Sequence, residues 1–311
     1  MALRIAMSLL LLAPAAGRAA EPPAVAVSIP PLHGLVAAVM QGVGAPALLL
    51  RTGSPHGYVL RPSDARALAA SRLVFLVDPR FESFLSKPLA ALPAARVVTA
   101  STAPGIRLVA ARRGGRWEPD AHDHSHDRDG ERPHEAGPET DFHLWLAPAN
   151  ARAIVARAAA ALSEADPANT ARYAANAKAL AARIEALETG LRARLAPLRD
   201  KPYIVFHDAY RYFEDAFALS PAGAVTVAPD RQPGIRRLQQ IRAAIAQAGA
   251  RCVFAEPQFE PALVHTIIDG TGARAGTLDP LGARIPPGPD AWFALMDGLA
   301  GSLESCLLPP G

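Results

Sequence analysis

The sequence predicts an α/β protein with two parallel-sheet lobes, joined by a long rigid helix and separated by a cleft. Three observations point there. Short apolar runs alternate with helix-forming segments in two stretches, one on each side of the middle of the chain. That order is the pattern of parallel strands connected by crossover helices. Between the stretches, apolar residues recur at helical spacing over residues 180–198. The length of 311 residues suggests about two domains, at roughly 100–200 residues each.

The elements follow in order. Residues 1–20 read as an export signal. Arg4 precedes an apolar run from Ile5 to Ala13, and Gly17 and Ala19 are the small residues that suit cleavage after Ala19. The run is shorter than the about 20 residues that a bilayer span needs. No cysteine lies near the cut to carry a lipid anchor, so the expected product is soluble after cleavage.

The first lobe is expected over 21–165. Ala24–Ile29 is a β-prone run, Leu35–Gln41 a helix stopped by Gly42, and Ala47–Arg51 a second strand. Pro62–Ser71 is helical, with Ser63 and Asp64 early, where side-chain acceptors suit a helix start. Leu73–Val77 is a buried-strand run, Phe81–Leu92 a helix, and Ala95–Ala100 another strand. From 112 to 140 the pattern breaks into Gly, Pro, Asp, Glu, Arg and His. Such a stretch lacks the apolar residues that offset ordering entropy, so it reads as a disordered loop.

The linking helix is expected over 166–198. Asp166 is a cap and Pro167 suits the first helical position. Leu180, Ile184, Leu187, Leu191, Leu195 and Leu198 then form one stripe, and Pro197 ends it. At 1.5 Å per residue, Pro167 to Ala196 spans about 45 Å, longer than a small domain is wide. The second lobe, 199–311, carries strands at Tyr203–Phe206, Ala224–Val227 and Cys252–Ala255, with helices at Ile235–Ala248, Pro261–Asp269 and Ala291–Leu303.

Composition excludes several classes. Half the residues are apolar and a fifth charged, which indicates a folded chain. The formal charge of +3 includes Arg4 and Arg18 of the signal; without them, basic and acidic residues nearly balance. There is no basic block and no aromatic-interleaved basic stripe, so nucleic acid is not an expected partner. No G-x-x-x-x-G-K-[ST] is present, so the chain is no ATPase of that type. The two cysteines, Cys252 and Cys306, form no C-x-x-C motif. In an exported chain an even count favours one disulfide, with two buried free thiols as the alternative.

The nine histidines carry the chemistry. His122, His124, His126 and His134 are interleaved with aspartates in the polar loop. They read as an accessory, multi-site metal tract, the alternative being a solvated linker. His56 lies in a turn before the Pro62 helix, His143 just past the polar loop, and His207 directly after a strand. Ligands of open α/β sheets bind outside the carboxyl ends of strands. Singly, each of these is an ordinary histidine with a hydrogen bond. Jointly, they supply the three imidazoles that a zinc site commonly uses.

Five blocks then resemble one family: Ser54-Pro-His-Gly-Tyr-Val-Leu-Arg-Pro-Ser-Asp64, Asp141-Phe-His-Leu-Trp-Leu-Ala-Pro148, Val205-Phe-His-Asp-Ala-Tyr-Arg-Tyr-Phe213, Cys252-Val-Phe-Ala-Glu-Pro-Gln-Phe259 and Gly276-Thr-Leu-Asp-Pro-Leu-Gly282. They look like the solute-binding proteins of high-affinity zinc-uptake ABC transporters, the ZnuA family within the cluster A-I binding proteins. The resemblance runs from residue 24 to Leu307, and the His/Asp-rich loop before the second block is also typical of it.

The resemblance implies a metal site in the cleft between the lobes, with His56, His143 and His207 as imidazole ligands. Relatives for manganese or iron usually carry a Glu at the third position; His207 stands there, which favours Zn2+. Where some zinc members have a Glu before the first His, this chain has Pro55. The fourth position therefore falls to water or Asp279, the remaining option being a ligand from the polar loop. Asp208 and Glu256 are candidates for orienting a ligand imidazole from behind. Cys252 and Cys306 match the family's disulfide positions.

The expected function is a periplasmic zinc receptor, monomeric and not an enzyme. It would deliver Zn(II) to an inner-membrane ABC permease that has a separate ATPase. A manganese or iron receptor of the same fold is the near alternative. A secreted zinc hydrolase is more distant, since no H-E-x-x-H is present. An adhesin or zinc buffer is a third reading.

Overall fold

The computed structural model describes residues 22–93, 96–113, 117, 139–226, 234–259 and 262–309. The expected export segment, and the loop histidines His122, His124, His126 and His134, lie outside the described residues. The first half of the chain runs β1 (Val25–Val27), α1 (Pro30–Val39), β2 (Ala47–Leu48), α2 (Pro62–Ala70), β3 (Leu73–Leu76), α3 (Ser86–Ala90), β4 (Val97–Thr99), β5 (Val109–Ala110), β6 (Thr140–Asp141) and α4 (Pro148–Ala165). Then comes α5 (Thr170–Leu195), flanked by single 3-10 turns at Pro167–Asn169 and Ala196–Leu198. The second half runs β7 (Tyr203–His207), α6 (Arg211–Phe217), β8 (Pro221–Thr226), α7 (Ile235–Ala248), β9 (Cys252–Ala255), α8 (Ala262–Ile268), β10 (Arg274–Thr277) and α9 (Ala291–Leu307).

Two four-stranded sheets result, in the orders β2-β1-β3-β4 and β10-β9-β7-β8, with every pairing parallel. The α/β class with its long central helix is as the sequence predicts. β1, β3 and β7 are buried along their whole length. Parallel strands covered on both faces need continuous apolar runs, and Val-Ala-Val, Leu-Val-Phe-Leu and Tyr-Ile-Val-Phe supply them.

The apolar stripe of α5 does its expected work. Leu180, Ile184, Leu191, Leu195 and Leu198 are buried, each contributing about 1.5–3 kcal/mol by leaving water. α5 packs on α1 and α4 of the first half and on α6 and α9 of the second. One apolar core is consequently continuous from β1 and β3 through α5 to β7 and α9. Smaller clusters cover the outer face of each sheet. α1 and α9 meet where Gly34 lies: a Cβ there would stand 2.9 Å from the Trp292 nitrogen, so the approach requires glycine. Cys252 and Cys306 are joined in a disulfide that ties β9 to α9.

The structure departs from the sequence reading in several places. α1 starts at Pro30 instead of Leu35, because proline suits the first helical positions. The helix expected at Phe81–Leu92 is a 3-10 turn at Ser83–Leu85 followed by the five-residue α3. α4, an 18-residue helix, went unpredicted; its buried face is largely alanine, a weak hydrophobic signal. β5 and β6 pair antiparallel across the polar loop, so the region expected to be loop through residue 140 ends in a ladder. The exposed edge strand β10 also went unpredicted, having no apolar run.

Glu82 generates a test of this frame. It is fully buried just after β3, where the Ser28 hydroxyl and the Val77 and Asp78 amides donate to its carboxylate. Burial outweighs those bonds and pushes its pKa from 4.5 up to about 7. The fold thus holds this proton more tightly than the unfolded chain does. The group's stabilisation is complete below pH 4.5 and is lost as pH rises through about 7. Glu82→Gln is expected to flatten the fall of Tm between about pH 5 and pH 8 in thermal denaturation. Equal slopes for the two proteins would contradict this.

Candidate metal centre

Three histidines separated widely in sequence meet between the two sheets. His56 sits on the β2–α2 connection, His143 two residues past β6, and His207 at the carboxyl end of β7. Each offers a ring nitrogen, and these lie within 4.8 Å of one another. Among the described residues they form the one group of metal-ligand side chains that meets this spacing.

Local structure explains how each arrives. The His56 loop turns through Gly53, whose φ of +89° a side chain would strain. The His56 amide donates to Ser54 Oγ at 3.3 Å. Downstream, Asp64 Oδ2 accepts from the Tyr58 hydroxyl at 2.8 Å and from the Arg61 amide at 3.2 Å, which closes the start of α2. Asp64 therefore braces the helix, as its position early in that helix suggests. The His56 ring meets the edge of Phe81 with centroids 5.1 Å apart.

His143 and His207 are held from behind by carboxylates. His143 Nδ1 lies 2.8 Å from Asp141 Oδ1, which also accepts from the His143 amide at 2.9 Å. His207 Nδ1 lies 2.6 Å from Glu256 Oε1, at the end of β9. Both carboxylates are buried. A carboxylate facing Nδ1 accepts from an Nδ1–H and leaves the Nε2 lone pair for a metal. The two Nε2 atoms then face each other at 3.3 Å. Without a cation between them, one must carry a proton for that contact to be favourable; a divalent cation satisfies both.

Electrostatics follow from this arrangement. Burial, then the neighbouring His143 and His207, lowers the His56 pKa to about 3, so His56 is a neutral donor at any physiological pH. Burial also opposes charge on His207, but Glu256 outweighs it and His207 stays above its ordinary value. A metal competes with a proton for the imidazole nitrogen that faces it, so binding weakens as pH falls. The small, partly open cavity lined by His56, Phe81, His143, His207, Phe259 and Leu281 among others has a volume of about 10 Å³. That is room for one ion or water, not for an organic substrate.

The other expected residues distribute differently. The Glu256 carboxylate lies against the His207 ring. The Asp208 carboxylate instead pairs with Arg112 at 2.9 Å, and Asp141 lies behind the His143 ring. Asp141 is the residue that the sequence reading missed. Its signal was the Asp-x-His spacing, which lets one carboxylate reach both the amide and the ring two residues on. Asp279 is not brought into the histidine group. Its Oδ1 accepts from the Leu281 and Gly282 amides and from Gln258, and its Oδ2 accepts from the Ala283 amide at 2.7 Å. That carboxylate is committed to closing a turn.

Comparison with known proteins agrees with the geometry. The sequence model of the family described as "ZnuA: Zinc-uptake complex component A periplasmic" matches residues 25–306. The high-affinity zinc uptake system protein ZnuA of Brucella abortus (strain 2308) is 44% identical over 312 residues, covering 93% of each chain. Its counterpart in Yersinia pestis is 38% identical, covering 91% of each. Among solved structures, a crystal structure of ZnuA superposes with a TM-score of 0.77 at 24% identity, over 93% of this chain and 100% of that one. The Mn2+ complex of FpvC from Pseudomonas aeruginosa gives 0.75 at 21% identity, over 92% and 99%. These two likenesses speak to the fold.

The carboxylates behind the imidazoles can be tested directly. Asp141→Asn and Glu256→Gln are each expected to weaken divalent-metal binding about 10–100-fold in competition titration. Unchanged affinity in both would show that the rings need no such support.

Proposed function

The chain belongs to the ZnuA family, and from that premise we propose that it is a periplasmic receptor that captures Zn(II) and delivers it to an ABC permease. The observation that carries the reading is the convergence of three imidazole nitrogens, two of them backed by buried carboxylates. Neutral imidazole suits zinc, whereas manganese prefers a site richer in oxygen, and no carboxylate joins this group among the described residues. We assign His56, His143 and His207 as the zinc ligands and water as the fourth, because Asp279 is engaged in its own turn. Three protein ligands plus water is also the pattern of catalytic zinc. The single-ion cavity argues against turnover of a bulky substrate here.

The finer organisation is part of the same proposal. Residues 1–20 direct export, 21–165 and 199–311 form the two lobes, and 166–198 link them. Each four-stranded sheet falls within one of those ranges. No helix among the described residues is long and apolar enough to cross a membrane, which fits a receptor working beside a separate permease and ATPase. His122, His124, His126 and His134 serve as accessory zinc capture, and the receptor acts as a monomer.

Metal analysis and competition titration of the mature protein test this reading. One tightly held zinc per chain is expected. It should be lost in His56→Ala/His143→Ala/His207→Ala and should survive deletion of residues 116–137. Tight zinc that persists without the three histidines, or a preference for manganese, would overturn the assignment.

A further inference from the structure

A buried ion-pair network beside the histidines has no role in the reading above, and it joins the two halves of the protein. Arg112 follows β5 and reaches across to the second half. Its Nη1 donates to Asp208 Oδ1 at 2.9 Å and its Nη2 to Glu214 Oε2 at 2.5 Å, with 16% of the side chain exposed. Glu214, on α6, also accepts from the Tyr203 hydroxyl of β7 at 3.0 Å. The guanidinium carbon lies 4.4 Å from the centre of the Trp117 ring.

The two ends of this network lie next to residues of the histidine site, in the chain or in the ladder. Asp208 directly follows His207. On the other side, β5 is paired with β6 so that Val109 stands opposite Asp141, the residue that holds His143. The Tyr212 hydroxyl fastens that ladder to α6: it accepts from the Val109 amide at 3.1 Å and donates to the Asp141 carbonyl at 2.7 Å. Arg211 donates to the Ala110 carbonyl. A path of polar contacts and backbone therefore runs from the strand behind His143, through β5 and Arg112, to the residue beside His207. Arg112 is a link at which charge from the first half meets two carboxylates of the second, more enclosed than the exposed Arg107–Asp215 pair.

Resting on the zinc-receptor reading, we propose that Arg112 is a positioning residue for cargo retention. It fixes the separation of His143 from His207, and so sets how fast zinc leaves. A planar guanidinium can hold two carboxylates in fixed directions at once, which a single ammonium cannot. Moving the halves apart must break those bonds before the third imidazole can withdraw.

The test separates positioning from general stability. Arg112→Gln strands the buried Glu214 and the half-buried Asp208 carboxylates and can fail to fold, so the decisive variant is Arg112→Gln/Asp208→Asn/Glu214→Gln, which leaves no unpaired charge in this network. Zinc dissociation into excess chelator and thermal unfolding are measured on both variants, on Arg112→Lys and on wild type. The neutralised variant is expected to unfold near the wild-type temperature and yet release zinc about 10–100-fold faster. Arg112→Lys is expected to recover stability more than retention. Release from the neutralised variant within about threefold of wild type overturns the proposal. Failure of the zinc-receptor reading itself would look different, since wild type would then hold no tight zinc.

Discussion

Two buried carboxylates that each grip the Nδ1 of a histidine are the interaction on which the rest of this site depends. Asp141 holds His143 from the first half and Glu256 holds His207 from the second. Each fixes a ring whose other nitrogen must point inward. Had the rings been free to turn, convergence on one ion would have to be bought with side-chain entropy at every binding event. The pairing also divides the electrostatic work. Two imidazoles have a negative neighbour and tolerate a cation, while His56 has no hydrogen-bonded acid behind its ring among the described residues and stays neutral.

The fold places those carboxylates. Asp141 ends β6 and Glu256 follows β9, which pairs with β7 so that Val205 stands opposite Phe254. That parallel register brings Glu256 alongside His207. The halves are then tied beneath the site. The Trp145 indole donates to the Pro280 carbonyl at 2.9 Å, and the Trp292 indole donates to the Trp145 carbonyl at 2.9 Å. Together with the continuous core along α5, these contacts give the histidines from two sheets one frame of reference. An ion bound there reports on both halves, which is what a receptor that hands over its cargo requires.

Much of this was legible in the sequence, and the reasons differ by element. Strands buried on both faces announce themselves as apolar runs, so β1, β3, β7 and β9 were found nearly in place. The α5 stripe was equally clear because Leu and Ile mark it. α4 was not, since an alanine face carries little contrast with its surroundings. The edge strand β10 escaped because an exposed strand of Arg-Ala-Gly-Thr has no burial to record. At the site, the three histidines stood at strand ends and loops, where ligands of α/β folds gather. Their partners were harder to read. Asp208 is adjacent in sequence to His207, but β7 ends at His207 and the Asp208 carboxylate turns to Arg112. The acid that serves His207 comes from the neighbouring strand, 49 residues away. Asp279 has a suitable side chain, yet three backbone amides already claim it.

The most direct measurement is X-ray absorption at the zinc edge of the loaded, mature protein. The account expects nitrogen or oxygen scatterers only, at about 2.0–2.1 Å, with the multiple-scattering signature of three imidazoles. A spectrum showing sulfur near about 2.3 Å, or a single imidazole among carboxylates, would contradict it.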